Sequence, residues 1–445
     1  MKILFIEIDT EKTWAVASVG PAYIASYIRY YGHEADFLRV LPDQQIDDII
    51  CNIKKQSPDI IGFSLTTRQW KRADYIAKEI QKNINIPIIA GGLHPTFEPK
   101  LTIESECFDY VCIGEGEYAV CELLSCLEKE EKISSMQIPN IWIKGGDRPK
   151  IRPPIKTLDS IPFMARDFLD EKYGVIHINT QRGCPFPCTF CAAGAMRDLY
   201  KNETYIRRRT VNNVLEELCQ IREKQSLNYV IFLDDTFTVN KEWVSEFCQF
   251  YGKEIGIGFS INARIETVTV DMIDKLAKAG CKHIVYGVES GSMKIRKNVL
   301  NRPVENKRFK DVFKWTKNAN ILVTANYMIG LPEETPDDIE QTIALNEELS
   351  PDDFGYFVFY PYPGTRLFHI CQTQGLLPED YLSLPANNRQ SILNLKYLNN
   401  DDIERYYNIF TKMRERSYMS KYGKDFNKED KLLISKSFKE SADQG

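Results

Sequence analysis

Three cysteines fall within eight residues: Cys184, Cys188 and Cys191. Pro185, Pro187 and the preceding Gly183 keep this stretch from continuing as a helix, so it must be a loop. Such a loop can place three thiolates around one inorganic centre, and soft thiolate ligands select an iron–sulfur cluster or zinc. Three ligands are one short of a closed zinc site and one short of a fully ligated cubane. The predicted centre therefore keeps one position open, and a substrate can bind there.

The most ordinary alternative is three unrelated core residues, because free cysteine is often buried. The nine other cysteines are scattered and suit that interpretation, whereas the tight trio does not. Zinc is the second alternative, and it would need a fourth ligand. No histidine or cysteine occurs in the 25 residues after Cys191. The pattern therefore favours an iron–sulfur cluster, with a zinc-stabilised binding protein as the rival.

The spacing Cys-x3-Cys-x2-Cys resembles that of the radical S-adenosylmethionine (SAM) superfamily. The resemblance implies that Cys184, Cys188 and Cys191 hold a 4Fe–4S cluster. It further implies that the amino and carboxylate groups of SAM chelate the fourth iron, and that one electron then cleaves SAM to a 5′-deoxyadenosyl radical. Phe190, the aromatic residue before the last cysteine, also fits the family pattern, in which that position lies near the adenine.

Composition bounds the class of protein. A chain of 445 residues is long for one domain, and 43% apolar with 27% charged residues is ordinary for a soluble globular protein. No apolar run reaches the roughly 18 residues of a membrane span, so we expect no membrane partner. Twelve cysteines without disulfide-scaffold density suggest the reducing cytoplasm. The net charge of −5 argues against a nucleic-acid partner.

Residues 1–145 alternate between strand and helix patterns, which predicts a Rossmann-like, doubly wound parallel sheet. The predicted strands are the apolar runs 3–8, 60–64, 86–90 and 110–113. Ligands of such sheets bind beyond the carboxyl ends of the strands. Small and hydroxyl residues in those loops let the backbone approach a large flat ligand. The predicted contacts are Ser64, Thr66, Gly91, Gly92, Gly114 and Glu115.

The order of these segments resembles the cobalamin-binding domain that precedes many radical enzymes, and it implies a bound cobalamin. The matching pieces are residues 20–34, 58–64, 91–96 and 114–117. The Asp-x-His-x-x-Gly loop, whose histidine would ligate cobalt, is absent, because Asp9 is followed by Thr10 and Glu11. A cobalamin here would therefore lack a lower histidine ligand. A Rossmann domain that had lost its cofactor would leave much the same sequence.

A polar, proline-rich linker at 146–172 is predicted to pack along the domain that follows it. A second alternating series then covers 173–372, with a helical region at 373–445. Its candidate strands are 175–180, 229–233, 258–262, 283–288, 323–328 and 354–360. Six strands separated by helices predict a partial (β/α)6 barrel, in which chemistry gathers at the strand carboxyl ends.

Polar motifs end the second and third of these strands. Asp234 and Asp235 offer carboxylates that suit the ammonium group of SAM, although Asp235 could equally cap the next helix. Arg264 could clamp a carboxylate or simply pair with a nearby acid. All three are predicted cofactor contacts.

The fourth and fifth strands end in two further motifs. Residues 287–291 read Gly-Val-Glu-Ser-Gly, and the resemblance implies that Glu289 and Ser290 contact the ribose and methionine ends of SAM. Without the resemblance, the same residues would be a turn with a solvated acid. Gly330 opens residues 330–335, which lie near the adenine in relatives.

The function expected from these features is cobalamin-dependent methylation of an unactivated carbon in a small metabolite. The expected cofactors are a 4Fe–4S cluster, SAM and cobalamin, and the expected reductant is a flavodoxin or ferredoxin. A non-methylating radical SAM enzyme that catalyses dehydration, rearrangement or oxidation is the main alternative. The sequence identifies neither the substrate nor a catalytic side chain.

Overall fold

The computed structural model describes residues 1–9, 18–129, 137–169, 171–201, 203–384 and 389–422. The predicted C-terminal helical region extends past residue 422, and that part lies outside the described residues.

The first half of the chain forms a six-stranded sheet with the strand order β2-β1-β3-β4-β5-β6. Its strands are β1 Lys2–Ile8, β2 Glu34–Val40, β3 Ile60–Ser64, β4 Ile88–Gly91, β5 Tyr110–Cys112 and β6 Ile141–Ile143. All pair in parallel except β6, which runs antiparallel to β5. Its helices are α1 Val19–Tyr30, α2 Ile46–Gln56, α3 Thr67–Asn83, α4 Leu93–Phe97, α5 Pro99–Glu104 and α6 Glu117–Glu128.

Both faces of this sheet are covered, which explains the apolar runs of its central strands. Ile3 and Phe5 of β1 point into one core with α1 and α6, whereas Leu4 and Ile6 point into a second core with α3. The sequence predicts β1, β3, β4 and β5 but misses both edge strands. The edge strand β2 carries Glu34, Asp36 and Arg39, so it has no apolar run, and β6 has only three residues.

The second half forms another six-stranded parallel sheet with the order β14-β13-β12-β11-β10-β7. Its strands are β7 Val175–Ile178, β10 Tyr229–Phe232, β11 Phe259–Ala263, β12 Cys281–Glu289, β13 Leu322–Ile329 and β14 Asp353–Val358, and a small ribbon pairs β8 Gln181–Arg182 with β9 Arg207–Arg208. The helices are α7 Ala192–Leu199, α8 Val211–Lys224, α9 Lys241–Glu254, α10 Val270–Ala279, α11 Met293–Asn298, α12 Asn306–Asn318, α13 Pro336–Leu349, α14 Arg366–Thr373 and α15 Asn400–Tyr422.

This sheet is the predicted (β/α)6 partial barrel. All six predicted strands are present to within a few residues, because each is an apolar run between helices with clear caps. The largest core of the described chain packs α8, α9, α10, α12 and α13 on the strands. Helix α15 then packs on the edge strand β14, where Tyr356 stacks on Phe410 at 5.5 Å between ring centroids.

The prediction that the linker packs along the barrel is wrong for its apolar side chains. Ile155, Ile161, Met164 and Phe168 belong to the core of the first sheet. The ring centroid of Phe168 lies 5.9 Å from that of Phe5. The reason is that α1 and α6 leave part of this sheet face uncovered, and the linker fills it. Its polar residues still reach the barrel, because Arg166 pairs with Glu217.

Candidate functional site

The cysteine loop runs from Gly183 to Cys191, between β8 and α7. Gly183 has a φ of +85°, and a Cβ there would lie 2.9 Å from the ring of Tyr205. Cys184 and Cys188 are 7% exposed, and Cys191 is half-buried at the N-cap of α7. All three thiols are therefore presented on one short, enclosed loop next to a helix N-terminus, which favours a negatively charged centre.

Hydrogen bonds from two other elements hold this loop. Thr189 donates from Oγ1 to the carbonyl oxygen of Val299 at 2.6 Å, and its own carbonyl accepts the amide of Leu367 at 2.8 Å. Asn301 donates to the carbonyl of Pro187 at 3.0 Å. The loop conformation is therefore fixed by α14 and by the segment that follows α11, which preorganises the three cysteines.

The cysteine loop carries three of the thiolates that a 4Fe–4S cluster or a zinc ion would take. Within the described ranges, no group of three or more His, Cys, Asp or Glu side chains is arranged to hold a single metal ion. A zinc site needs four such ligands around one point. A 4Fe–4S cluster instead takes each cysteine on a different iron, so its cysteines need not converge on one point.

The predicted cobalamin contacts lie on three loops at the carboxyl edge of the first sheet, and all but one of them meet at one cavity. Ser64, Gly91, Gly92, Gly114 and Glu115 line it. Thr66 is the exception: it is exposed and caps α3 together with Gln69. The Thr66 hydroxyl donates to Oε1 of Gln69 at 2.9 Å, so the role of Thr66 at the start of α3 accounts for its presence in this loop.

This cavity has a volume of about 320 Å³ and lies between the carboxyl edges of the two sheets. Helix α1 adds Gly20 and Tyr23, and a Cβ on Gly20 would meet nothing within 4 Å. The barrel contributes residues from β8, from the ends of β7 and β10, and from the segment before β9, namely Asn179, Gln181, Arg182, Tyr205, Leu233 and Asp235. A ligand in this cavity would therefore touch both domains.

Charged side chains bridge the domains along one wall of the cavity. Arg182 donates from Nη2 to Oε1 of Glu117 at 2.5 Å and lies 3.3 Å from Glu115 through Nη1. Its guanidinium also stacks over Tyr23 at 4.9 Å. Arg207 donates to both oxygens of the same Glu115 carboxylate, to Oε1 at 2.7 Å and to Oε2 at 3.1 Å. Burial opposes the charge on Glu115, but the two arginines outweigh it and leave its pKa below the ordinary value.

The two adjacent acids at the end of β10 have different environments. Asp234 is fully buried and accepts the amides of Thr180 and Gln181 at 2.7 and 2.8 Å, together with the Thr180 hydroxyl. Asp235 instead lines the cavity. Burial raises the pKa of the Asp234 carboxyl, and partial desolvation together with the neighbouring Asp234 charge raises the pKa of Asp235. The geometry therefore favours Asp235 as the group available to a cofactor, while Asp234 holds the turn after β7.

Arg264 and Glu289 lie in one chain of charges beside the cysteine loop. Arg264 Nη1 is 2.7 Å from the sulfur of Cys188, and Arg264 also pairs with Glu266. Arg302 joins Glu266 at 3.5 Å to Glu289 at 3.0 Å. Burial raises the pKa of Glu289 despite Arg302. Arg264 is therefore engaged within the chain and is not a free clamp.

Ser290 differs from its neighbour because it is fully buried. Its hydroxyl accepts the amide of Ser292 at 3.2 Å, and its carbonyl accepts Arg296 at 2.5 Å. These bonds shape the turn after β12. The predicted contact of Ser290 with SAM stays a prediction.

Phe190, near the end of the cysteine loop, packs close to the loop that begins at Gly330. Phe190 packs against a small apolar cluster that includes Leu331, the residue after Gly330. Gly330 has a φ of +77°, and the amides of Gly330 and Leu331 both donate to Glu334 Oε2, at 2.6 and 3.1 Å. Burial raises the pKa of Glu334 to about 8. The side chain beside the last cysteine thus shares one cluster with the loop after β13.

Sequence reasoning assigned no role to several residues at this site. Arg182, Glu117, Tyr23 and Tyr205 all meet at the domain boundary. Glu117 ends the segment 114–117 and Arg182 directly precedes the cysteine loop, so their positions point to the site, but the sequence does not show that they pair.

Two family models match the chain, each over a different part of it. The radical SAM superfamily model covers residues 178–345, and the B12 binding domain model covers residues 15–124. The chain therefore belongs to the radical SAM superfamily, in the group that carries a B12-binding domain. The predicted α/β fold and the predicted cofactors, a 4Fe–4S cluster, SAM and cobalamin, are confirmed at the level of this family.

Within this family, the chain is 31% identical over 449 residues to the uncharacterized methyltransferase PH0819 of Pyrococcus horikoshii, covering 95% of this chain and 92% of that protein. It is 26% identical over 400 residues to the anaerobic magnesium-protoporphyrin IX monomethyl ester cyclase of Rubrivivax gelatinosus, covering 83% and 69%.

The fold matches the solved radical SAM methyltransferase TsrM of Kitasatospora setae, with cobalamin and a [4Fe-4S] cluster bound, at a TM-score of 0.69 and 14% identity, over 84% of this chain and 75% of that one. In the described part of this chain, no helix has the length and apolar content needed to cross a bilayer.

Proposed function

We propose that this chain transfers a methyl group to an unactivated carbon of a small molecule, using cobalamin and SAM. The observation that carries the proposal is the cavity between the carboxyl edges of the two sheets, which a cofactor from each domain could share. The 31% identical relative, whose name is that of a methyltransferase, supports the choice of reaction. When bound, the three cofactors supply a carbon radical and a methyl donor.

Different residues of this chain would serve the cluster and SAM. Cys184, Cys188 and Cys191 would hold the cluster and leave one iron open. Phe190 and the Gly330 loop would flank the adenine, and Asp235 and Glu289 would orient SAM through its polar groups. A flavodoxin or ferredoxin would supply the electron.

The first domain would hold the second cofactor and keep solvent away. The small residues Gly91, Gly92 and Gly114 would let cobalamin approach the backbone, with Ser64 and Glu115 beside it. The pairs from Arg182 and Arg207 to Glu115 close one wall, so a reactive species in the cavity would meet substrate before water.

A non-methylating radical reaction is the second candidate. The observation that favours it is the 26% identity to a protein named as a cyclase. In that case the first domain would still frame the cavity, but no methyl group would be transferred.

The products of SAM separate the two candidates without knowledge of the substrate. Transfer of the methyl group of SAM to reduced cobalamin would leave S-adenosylhomocysteine, whereas one-electron cleavage of SAM would leave methionine and a 5′-deoxyadenosyl radical, which becomes 5′-deoxyadenosine when it takes a hydrogen atom. We expect the reconstituted protein with cobalamin and dithionite to form both S-adenosylhomocysteine and 5′-deoxyadenosine. Formation of 5′-deoxyadenosine alone would support the second candidate and contradict methyl transfer.

A further inference from the structure

Arg264, which follows β11, contacts a sulfur of the cysteine loop. Its Nη1 lies 2.7 Å from the sulfur of Cys188, within reach of an N–H···S hydrogen bond. Its guanidinium carbon also lies 3.9 Å from the ring centroid of Phe186, inside the same loop. Arg264 is 9% exposed. The positive charge is therefore buried against the sulfur that would ligate the cluster.

The chain of charges fixes this guanidinium in place. Glu266 holds it on the side away from Cys188, and Arg302 continues the chain from Glu266 to Glu289. Arg302 is itself 2% exposed. To reach a carboxylate in the cavity, Arg264 would have to leave both Glu266 and Cys188. Of the two roles that the sequence leaves open for Arg264, the structure shows the pair with a nearby acid, and the carboxylate clamp stays a prediction.

A buried cation beside a ligand sulfur changes the energy of an added electron. Hydrogen bonds to the sulfurs and net charge set the reduction potentials of iron–sulfur clusters. Reduction makes the cluster more negative, so a nearby positive charge stabilises the reduced form, and burial strengthens the interaction. Glu266 acts in the opposite sense, because it carries a negative charge and pairs with Arg264.

We propose that Arg264 is a positioning residue that raises the reduction potential of the cluster through Cys188, and that Glu266 sets how strongly it does so. This inference rests on the cluster assignment of the proposed function. It assigns Arg264 to electron acceptance by the cluster and not to the binding of SAM.

The test uses reconstituted Arg264→Gln, Arg264→Lys and Glu266→Gln proteins of matched iron content. The cluster potential is measured by EPR-monitored redox titration without SAM, and the dissociation constant of SAM is measured separately. We expect Arg264→Gln to make the potential more negative, Arg264→Lys to restore part of the shift, and Glu266→Gln to make it more positive. The affinity for SAM should change little.

Two results would overturn the inference. One is an unchanged potential in Arg264→Gln with SAM affinity weakened about tenfold or more, as expected for a lost charge-assisted pair. The other is a shift of the same sign in Arg264→Gln and Glu266→Gln. A wild-type protein that binds no iron would instead contradict the proposed function, so the two failures are distinguishable. Arg222→Gln, at an exposed arginine of α8, controls for loss of charge alone.

Discussion

Arg182 of the barrel reaches across the domain boundary to Glu117 at the start of α6, with 2.5 Å between Nη2 and Oε1. The two side chains are 16% and 5% exposed. Arg182 stands two residues before Cys184, and Glu117 begins α6 directly after the predicted cobalamin loop. This contact therefore ties the cysteine loop to the loop that faces it across the cavity.

Replacing Arg182 with methionine should lower the free energy of unfolding by about 3 kcal/mol, because Glu117 would stay buried without its partner. Urea denaturation followed by circular dichroism measures the change. Lys310→Met is the matched control, since its pair with Glu348 is exposed at both ends and should contribute about 1 kcal/mol or less. Equal losses of unfolding free energy in the two variants would show that the pair of Arg182 with Glu117 stabilises the fold no more than an exposed ion pair does.

Gly20 tests whether the cavity is the cobalamin site. A tryptophan at this exposed position in the first turn of α1 should fill the cavity, because nothing lies within 4 Å of a Cβ there. We expect an unchanged thermal midpoint and cobalamin affinity weakened at least about tenfold, measured by absorbance titration. Val270→Trp, at an exposed first residue of α10, is the control. Normal cobalamin binding by Gly20→Trp would exclude this cavity.

Glu334 should make stability depend on pH. Burial raises its pKa from 4.5 to about 8, so the folded chain binds more protons than the unfolded chain between those values. Its contribution is therefore fully present below about pH 4.5 and is lost as pH rises towards 8. Glu334→Gln keeps a carbonyl for the two amides. Its thermal midpoint should depend less on pH over this range than that of the wild type.

The exposed neighbour Glu333 provides the control for that experiment, because Glu333→Gln removes a charge from the same loop without touching the buried bonds. An identical pH profile for wild type and Glu334→Gln would show that the buried carboxyl does not titrate in this range.

The elements and the cysteine loop could be predicted because their signals are local. The apolar run of β3 and the short spacing from Cys184 to Cys191 each lie within a few neighbouring residues. The edge strand β2 could not be found in the same way, because a strand exposed along one side tolerates Glu34 and Asp36 and has no apolar run.

The pairing of charges could not be predicted because it depends on how two domains meet. Arg182 and Glu117 are 65 residues apart and come from different domains. Asp234 and Asp235 are adjacent and identical in type, yet neighbouring residues point in different directions, so only the fold separates the buried acid from the one at the cavity. The loop position of Thr66 likewise suggests a cobalamin contact, but its role as the N-cap of α3 explains the same residue equally well.

The most direct test of the whole account is anaerobic reconstitution with iron and sulfide, followed by iron analysis and EPR of the reduced protein with and without SAM. We expect about four irons per chain and a spectrum that SAM alters, since one iron is left for it. Cys188→Ala should lose both properties, whereas Cys219→Ala, a half-buried thiol of α8, should keep them. Absence of iron, or a cluster whose spectrum is indifferent to SAM, would contradict the account.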